Sequence, residues 1–347
     1  MEAKISVITS EPLLQRENRY FSLICPPGGD LSFTMSGRCC IYQCLEDIKL
    51  RDRKRVAYLP MYTCETVVAP FHKAGYTIRF YEVDRNLRSI FDWKMIDEIS
   101  VLSLCGYYGF ILYDRAFVEA CHNQGVIILE DMTHSALSLG GMDPLCDYAA
   151  GSFRKWMEIP SGGFAVKCSG KFEISCQSPD KKHLALRRQY IATHDMKPFW
   201  DAEMMLRRMF GLYQGDDESE CIMRYSDIGE IIRRRRENYQ TLLDALPKSG
   251  LRGLSLVFPK LIEGVAPSHF CLYAENREHF LRYLEKQQIP YKVFWPVGPL
   301  VDLTGHKEVR YIYEHIVSLF CDQHQKHSDI MYLSEVLSAY PGISNRV

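Results

Sequence analysis

The chain reads as an α/β protein with a mostly parallel sheet, and three observations carry that reading. Between about residue 33 and residue 168, short β-branched apolar runs alternate with amphipathic stretches of helical period. Each repeat has the length of a β-then-α unit, which sets strands side by side in parallel and covers both faces with helices. At 347 residues there is room for a large domain and a smaller partner. Ligands of such sheets bind beyond the carboxyl ends of the strands.

The spacing predicts strands at 56–59, 77–83, 101–105, 125–130, 148–152 and 163–167, with helices at 39–48, 63–74 and 114–123. After Lys167 the character changes. Residues 170–220 read as polar and irregular, with Ser178-Pro179-Asp180-Lys181-Lys182 and Gly215-Asp216-Asp217-Glu218 as exposed loops. A long helix is expected over 226–246, capped by Ser226 or Asp227, with Pro247 just beyond it. Residues 251–347 read as α+β, with strands at 268–273 and 291–295 around a helix at 277–287. The expected division is a large domain over 1–245, including an amino-terminal segment and linker helices, and a small carboxyl-terminal domain over 246–347.

Composition narrows the function classes. A formal net charge of −1 argues against a general nucleic-acid binder, which needs a basic excess. Arg233-Arg234-Arg235-Arg236 is the local exception. Glu230, Glu237 and Asn238 around it favour a solvated helix face or a subunit contact. The 13 cysteines are odd in number and include no Cys-x-x-Cys pair, which favours a reduced cytoplasm over a disulfide framework. Met1-Glu2-Ala3-Lys4-Ile5 lacks the apolar core of a signal peptide, and no apolar stretch approaches a membrane span. Cys39, Cys40 and Cys44 have no histidine or cysteine partners at zinc-site spacing, so no metal site is expected.

The chemistry centres on two residues. Val126-Ile127-Ile128-Leu129-Glu130-Asp131 is a buried strand that ends in an acid, and Lys155 follows Asp131 by 24 residues in Gly151-Ser152-Phe153-Arg154-Lys155-Trp156. Pyridoxal phosphate (PLP) chemistry needs such a pair: a lysine to attach the cofactor, and an acid to keep the pyridine nitrogen protonated so that the ring draws in electrons. Taken singly, Asp131 is a turn-capping acid and Lys155 one of 42 basic residues. Their company changes this. Ser36 and Gly37 open a helix whose free N–H groups can hold a phosphate, with Arg38 next to them. His134 can reach the ring hydroxyl or cover the ring face, and the Ser152 hydroxyl can reach the phosphate. Ser161-Gly162-Gly163 permits close backbone packing or positive φ.

The order and spacing of these pieces resemble fold-type I PLP enzymes, and more closely the DegT/DnrJ/StrS-like aminotransferases, over most of the chain. Ser36-Gly37-Arg38 is similar to that family's Ser-Gly-Thr phosphate loop. Leu59-Pro60-Met61-Tyr62-Thr63-Cys64 is similar to its Pro-Ser-Tyr-Thr-Phe, and Tyr107-Tyr108-Gly109 to its Leu-Tyr-Gly. Glu130 to Ser135 resembles Glu-Asp-Ala-Ala-His/Gln-Ala, and Ser152, Phe153, Lys155, Gly162 and Gly163 resemble Ser-Phe…Lys…Gly-Gly. Arg224-Tyr225-Ser226-Asp227-Ile228 is similar to the Arg-Leu-Thr-Asp-Ile that opens the family's long helix. Three departures mark a divergent branch. Lys155 follows Ser152 by three residues where five is usual, Cys64 replaces an aromatic ring over the cofactor, and Ile222 replaces a phosphate-binding asparagine from the partner subunit.

The resemblance implies an aspartate aminotransferase-like fold with a seven-stranded, mostly parallel sheet, PLP as cofactor, and a homodimer. It implies Lys155 and Asp131 as catalytic groups, and Ser36, Gly37, Arg38, His134, Ser152, Tyr107 and Tyr62 around the cofactor. The implied reaction moves an amino group from glutamate or a similar donor to a keto-sugar, nucleotide-linked, or to another small carbonyl acceptor. Alternatives are another PLP reaction (aldolase, desulfurase or decarboxylase) or a catalytically silent PLP-binding or regulatory protein. His269, Lys292 and Trp295 read first as ordinary strand residues and second as pocket candidates. Phe199, Trp200, Met204, Met205, Met209 and Phe210 read first as core and second as a subunit contact.

Overall fold

The computed structural model describes residues 9–342; the Met1 to Ile5 stretch lies outside them. In chain order the elements are α1 (Tyr20–Ile24), β1 (Asp30–Thr34), α2 (Gly37–Ile48), β2 (Val56–Pro60), α3 (Glu65–Lys73), β3 (Thr77–Val83), β4 (Ser89–Ile90), β5 (Val101–Cys105), α4 (Arg115–Asn123), β6 (Ile127–Asp131), β7 (Tyr148–Ser152) and β8 (Gly163–Lys167). There follow α5 (Lys181–Thr193), α6 (Met196–Met209), α7 (Asp217–Tyr225), α8 (Ile228–Ala245), β9 (Leu254–Leu256), β10 (Phe270–Ala274), α9 (Arg277–Lys286), β11 (Tyr291–Lys292), α10 (Lys307–His315), β12 (Ile316–Leu319) and α11 (His327–Ala339).

The large sheet has the order β1-β8-β7-β6-β5-β2-β3-β4. Its centre, from β7 through β6, β5 and β2 to β3, is parallel, and β1, β8 and β4 join antiparallel. The resemblance implies seven strands and the sheet has eight. β4 is only two residues long, too short for a period-2 signal. β7 and β8 are buried at every position because helices cover both faces, which is why they read as continuous small and apolar runs. The second sheet, order β11-β12-β10-β9, is antiparallel. One hydrophobic core joins Tyr58, Leu102 and Leu104 beneath the large sheet to Phe270, Leu272 and Val317 of the small one.

Two expectations are corrected. Residues 170–220 are not irregular: they hold α5, α6 and α7. Asp180, expected in a loop, is the N-cap of α5 and accepts from the His183 N–H at 2.7 Å. The strand expected over 291–295 pairs only at Tyr291–Lys292. The long helix starts as expected, with Asp227 accepting from the Glu230 N–H at 3.0 Å. Its arginine run divides by face: Arg233 pairs with Glu230 and Glu237 in solvent, whereas buried Arg235 donates to the Ser268 carbonyl at 3.2 Å. Among the described residues no helix is long and apolar enough to cross a membrane.

Candidate active site at the carboxyl edge of the sheet

Asp131 closes β6, with Cys105 of β5 and Ala150 of β7 as its register neighbours, so the parallel strands deliver its carboxylate to their shared carboxyl edge. Its Oδ1 accepts from the Thr133 N–H at 2.9 Å. Burial raises its pKa, partly opposed by the Thr133 hydrogen bonds and the Lys155 charge. A cationic ring nitrogen docked against it would favour the carboxylate again.

Ser152 ends the neighbouring strand, and the chain turns at once through a 3-10 turn, Phe153–Lys155. That turn accounts for the three-residue spacing, since one tight turn carries the lysine back over the strand end. It is anchored on both sides. Phe153 is fully buried, and the enclosed indole of Trp156 donates to the Thr133 carbonyl at 3.0 Å, tying the lysine turn to the Asp131 loop. The Lys155 side chain is solvent-accessible yet ringed by protein, as expected of a group facing a recess, and its ammonium lies 5.0 Å from the centre of the Phe294 ring. Desolvation lowers its pKa; Cys64 and Glu203 oppose that shift, while Arg154 and Lys292 add to it.

The phosphate-loop candidates converge on the same edge. Ser36 caps α2, accepting from the Cys39 N–H at 3.4 Å, and helix geometry leaves the first-turn N–H groups of Gly37 and Arg38 open. A Cβ on Gly37 would sit 3.3 Å from Ser152 Cβ and 3.7 Å from Thr133 Oγ1, so the helix start, the lysine strand and the acid loop meet there. Gly162 takes φ 134° and Gly163 presses against Thr34 and Ser36, which no larger residue allows.

His134 is buried with no partner for Nδ1 among the described residues, and burial pushes its pKa down to about 3, so it is neutral. Trp295 and His269 of the carboxyl-terminal part approach it with ring centres at 5.3 and 6.2 Å. Lys292 of β11 acts electrostatically on both Lys155 and His269. Tyr62 and Tyr107 are enclosed. The Tyr62 hydroxyl meets Tyr108 Oη at 3.0 Å and donates to the Phe294 carbonyl, and the Tyr107 hydroxyl donates to the Tyr62 carbonyl at 2.5 Å. Both are fully buried and present no open ring face. Cys64, the N-cap of α3, accepts from the Thr66 hydroxyl at 3.0 Å. Ile222 is core, packed among residues that include Trp156 and Met157.

Three charged or polar groups were not anticipated: His183 and Arg187 of α5 and Glu203 of α6, which gather beside Arg38 and Arg154. A separate recess of 540 Å³ is lined by Arg277, Trp295, Arg310, Tyr313 and Glu314 and does not include Lys155.

The donor set suits PLP. A buried carboxylate, an accessible lysine of lowered pKa and an open helix start against a serine meet at one edge, and His134, three residues after the acid, has an unpartnered Nδ1 among the described residues.

No protein-family model matches the sequence, and no curated protein matches it. Solved structures match along nearly the whole chain. The sugar aminotransferase CalS13 from Micromonospora echinospora superposes with a TM-score of 0.66 at 16% identity, covering 98% of each chain. PseC from Helicobacter pylori, an aminotransferase involved in the biosynthesis of pseudoaminic acid, gives 0.66 at 12% identity over 95% of this chain and 98% of its own. A DegT DnrJ EryC1 StrS aminotransferase from Brucella abortus gives 0.58 at 13% identity over 89% and 84%. From end to end, this chain has the fold of the DegT/DnrJ/EryC1/StrS-type sugar aminotransferases, the fold-type I architecture.

Proposed function

We propose that the protein is a PLP-dependent aminotransferase, taking its amino group from glutamate or a similar donor. The acceptor is a keto-sugar, nucleotide-linked, or another small carbonyl compound. The observation that carries this reading is the meeting of Asp131, Lys155, Ser152 and the start of α2 at one sheet edge. When bound, PLP supplies an electron-withdrawing ring that makes the donor's α-proton removable.

Everything else is work for the chain's own residues. Lys155 provides the nucleophilic amine, and desolvation favours its neutral form, which both attaches and later carries a proton. Asp131 holds a proton on the ring nitrogen, its carboxylate oriented by the Thr133 N–H. Ser36, Gly37, Arg38 and Ser152 bind the phosphate. Neutral His134 lies over the pocket, with Trp295 and His269 closing it from the other side. Tyr62 and Tyr107 support that wall.

The test is a half-reaction. PLP-loaded protein given L-glutamate should form one equivalent of 2-oxoglutarate per site while its visible absorbance shifts to the amine form. If glutamate and other common amino acids yield no keto acid from loaded protein, the aminotransferase reading is lost and a silent PLP-binding role takes its place.

We further propose a homodimer, a domain division at 245/246, and a reduced cytoplasmic setting in keeping with thirteen free cysteines. Met196, Trp200 and Met204 fall at i, i+4 and i+8 of α6 and are 41%, 59% and 46% exposed, an apolar stripe that suits a subunit contact. Light scattering should give twice the chain mass, and Trp200→Glu should shift it towards one chain. A monomeric wild type would overturn the dimer.

A further inference from the structure

Beside the start of α2, three guanidinium groups surround one carboxylate. Glu203 Oε2 lies 3.3 Å from Arg38 Nη2, Glu203 Oε1 bonds Arg154 Nη2, and Arg187 Nη1 stands 4.0 Å from the same Oε1. The arginine side chains are 8%, 13% and 6% exposed. Three positive charges against one negative leave two uncompensated where solvent screens poorly, an arrangement unfavourable for stability alone.

The hydrogen bonding is also incomplete. Arg154 Nε, Arg187 Nε and Nη1, and both ring nitrogens of fully buried His183 have no hydrogen-bond partner among the described residues. A cluster serving only structure would be expected to satisfy these polar atoms. Tyr190 and Phe199 lie 5.3 and 5.2 Å from the Arg187 guanidinium, ring centre to carbon, and hold it in place while leaving its N–H edges open. His183, pushed down to about 4 by burial and its arginine neighbours, is neutral and contributes hydrogen bonds without charge.

Position identifies the guest. Arg38 is the second residue of α2, beside the open Gly37 N–H, and Arg154 adjoins Lys155. α6 packs on the same helix start through Leu206 against Cys39 and Met35. We propose that Arg38, Arg154 and Arg187, held in register by Glu203, form a phosphoryl-dianion seat, and that it takes the cofactor's phosphate ester. The proposal rests on the PLP reading above. Two charges on the phosphate match the two left unpaired, and α5 and α6 of the same chain supply what Ile222 cannot. Arg187 and Arg154 bind the guest, whereas Glu203 is a positioning residue.

The test compares PLP with pyridoxal, which lacks the phosphate, following binding by visible absorbance and by borohydride-fixed mass on the Lys155 peptide. Wild type should bind PLP at least about 100-fold more tightly than pyridoxal. Arg187→Gln should weaken PLP about 10–100-fold, the worth of a charge-assisted contact, and leave pyridoxal unchanged. Inorganic phosphate should raise the Tm of wild type, and should raise that of Glu203→Gln more, because that variant leaves three charges unmatched. Equal affinity for PLP and pyridoxal, a comparison that needs no variant, would overturn the seat. So would equal weakening of both by Arg187→Gln, or a Tm response to a nucleoside diphosphate without one to PLP or phosphate. If both PLP and pyridoxal form the Lys155 adduct with equal affinity, the seat fails and the PLP reading stands. If neither forms it, the PLP reading fails and the cofactor assignment of the seat fails with it.

Discussion

Lys155→Ala should leave a folded protein that no longer attaches PLP covalently and transfers amino groups at least about 10²–10⁴-fold more slowly, the range for a positioned proton carrier. Three features of the site set the size of the loss. The lysine sits one 3-10 turn beyond β7, so no neighbouring amine replaces it by a rotamer change. Lys292, which also acts on this pocket, reaches it from the second sheet and is mainly solvent-exposed. Desolvation keeps the Lys155 amine poised to lose its proton. The measurement is borohydride fixation followed by peptide mass, run beside the glutamate half-reaction. Lys155→Arg keeps the charge without the nucleophile and should be as inactive as Lys155→Ala. A variant that still carries the fixed mass would move the attachment to another lysine and undo the assignment. The fold should survive, because the turn is held by Phe153 and Trp156 and the lysine makes no hydrogen bond to the described residues.

The elements legible in the sequence are those whose periodicity reports burial directly. β3, β5, β7 and β8 fall at the expected boundaries because each is an apolar or small-residue run enclosed by helices, and α9 and α8 announce themselves through Asn276 and Asp227 at their starts. Asp131 and Lys155 stand out in the sequence for a related reason, since an acid closes one buried run and a lysine follows the end of the next. α5 was not legible. Its inward residues are His183, Leu184 and Arg187, so the buried face carries charge in place of an apolar stripe, and the helical period disappears from a hydrophobicity reading. The signal that remained was Asp180 three residues before His183 and Asp195 before Met196, two side-chain caps that a loop reading absorbed. His269, Lys292 and Trp295 read as pocket candidates only in second place for a different reason: nothing local fixes how the second sheet docks on the first. That docking comes from the shared core and from contacts such as the Tyr313 hydroxyl on the Met61 carbonyl at 2.9 Å.

The same polar interior makes the fold acid-labile. His134, His183 and His269 are 4%, 0% and 6% exposed, and burial lowers all three pKa values: His134 to about 3, His183 to about 4, and His269 well below its ordinary value. A histidine depressed in the folded state binds its proton more readily when unfolded. Its stabilising contribution is therefore complete above the unfolded value near 6.5, and it declines as pH falls through that value towards the folded one. At pH 5 the unfolded chain gains about 2 kcal/mol per such histidine, so the three together remove up to about 6 kcal/mol relative to pH 7.5. That is comparable with the whole stability of an ordinary domain. Glu203, depressed to about 2 by its arginines, acts in the same direction, but only below the ordinary carboxylate range near 4.5. Urea denaturation should show the midpoint falling steeply between pH 7 and pH 5, and His183→Gln should flatten that slope by about a third without moving the pH 8 midpoint as far. Glu130, Asp131 and Asp147, raised by burial, act in the opposite direction, because a raised carboxyl regains stability as pH falls. The decisive comparison is therefore the variant with wild type, and a slope unchanged by His183→Gln would mean that this ring is solvated.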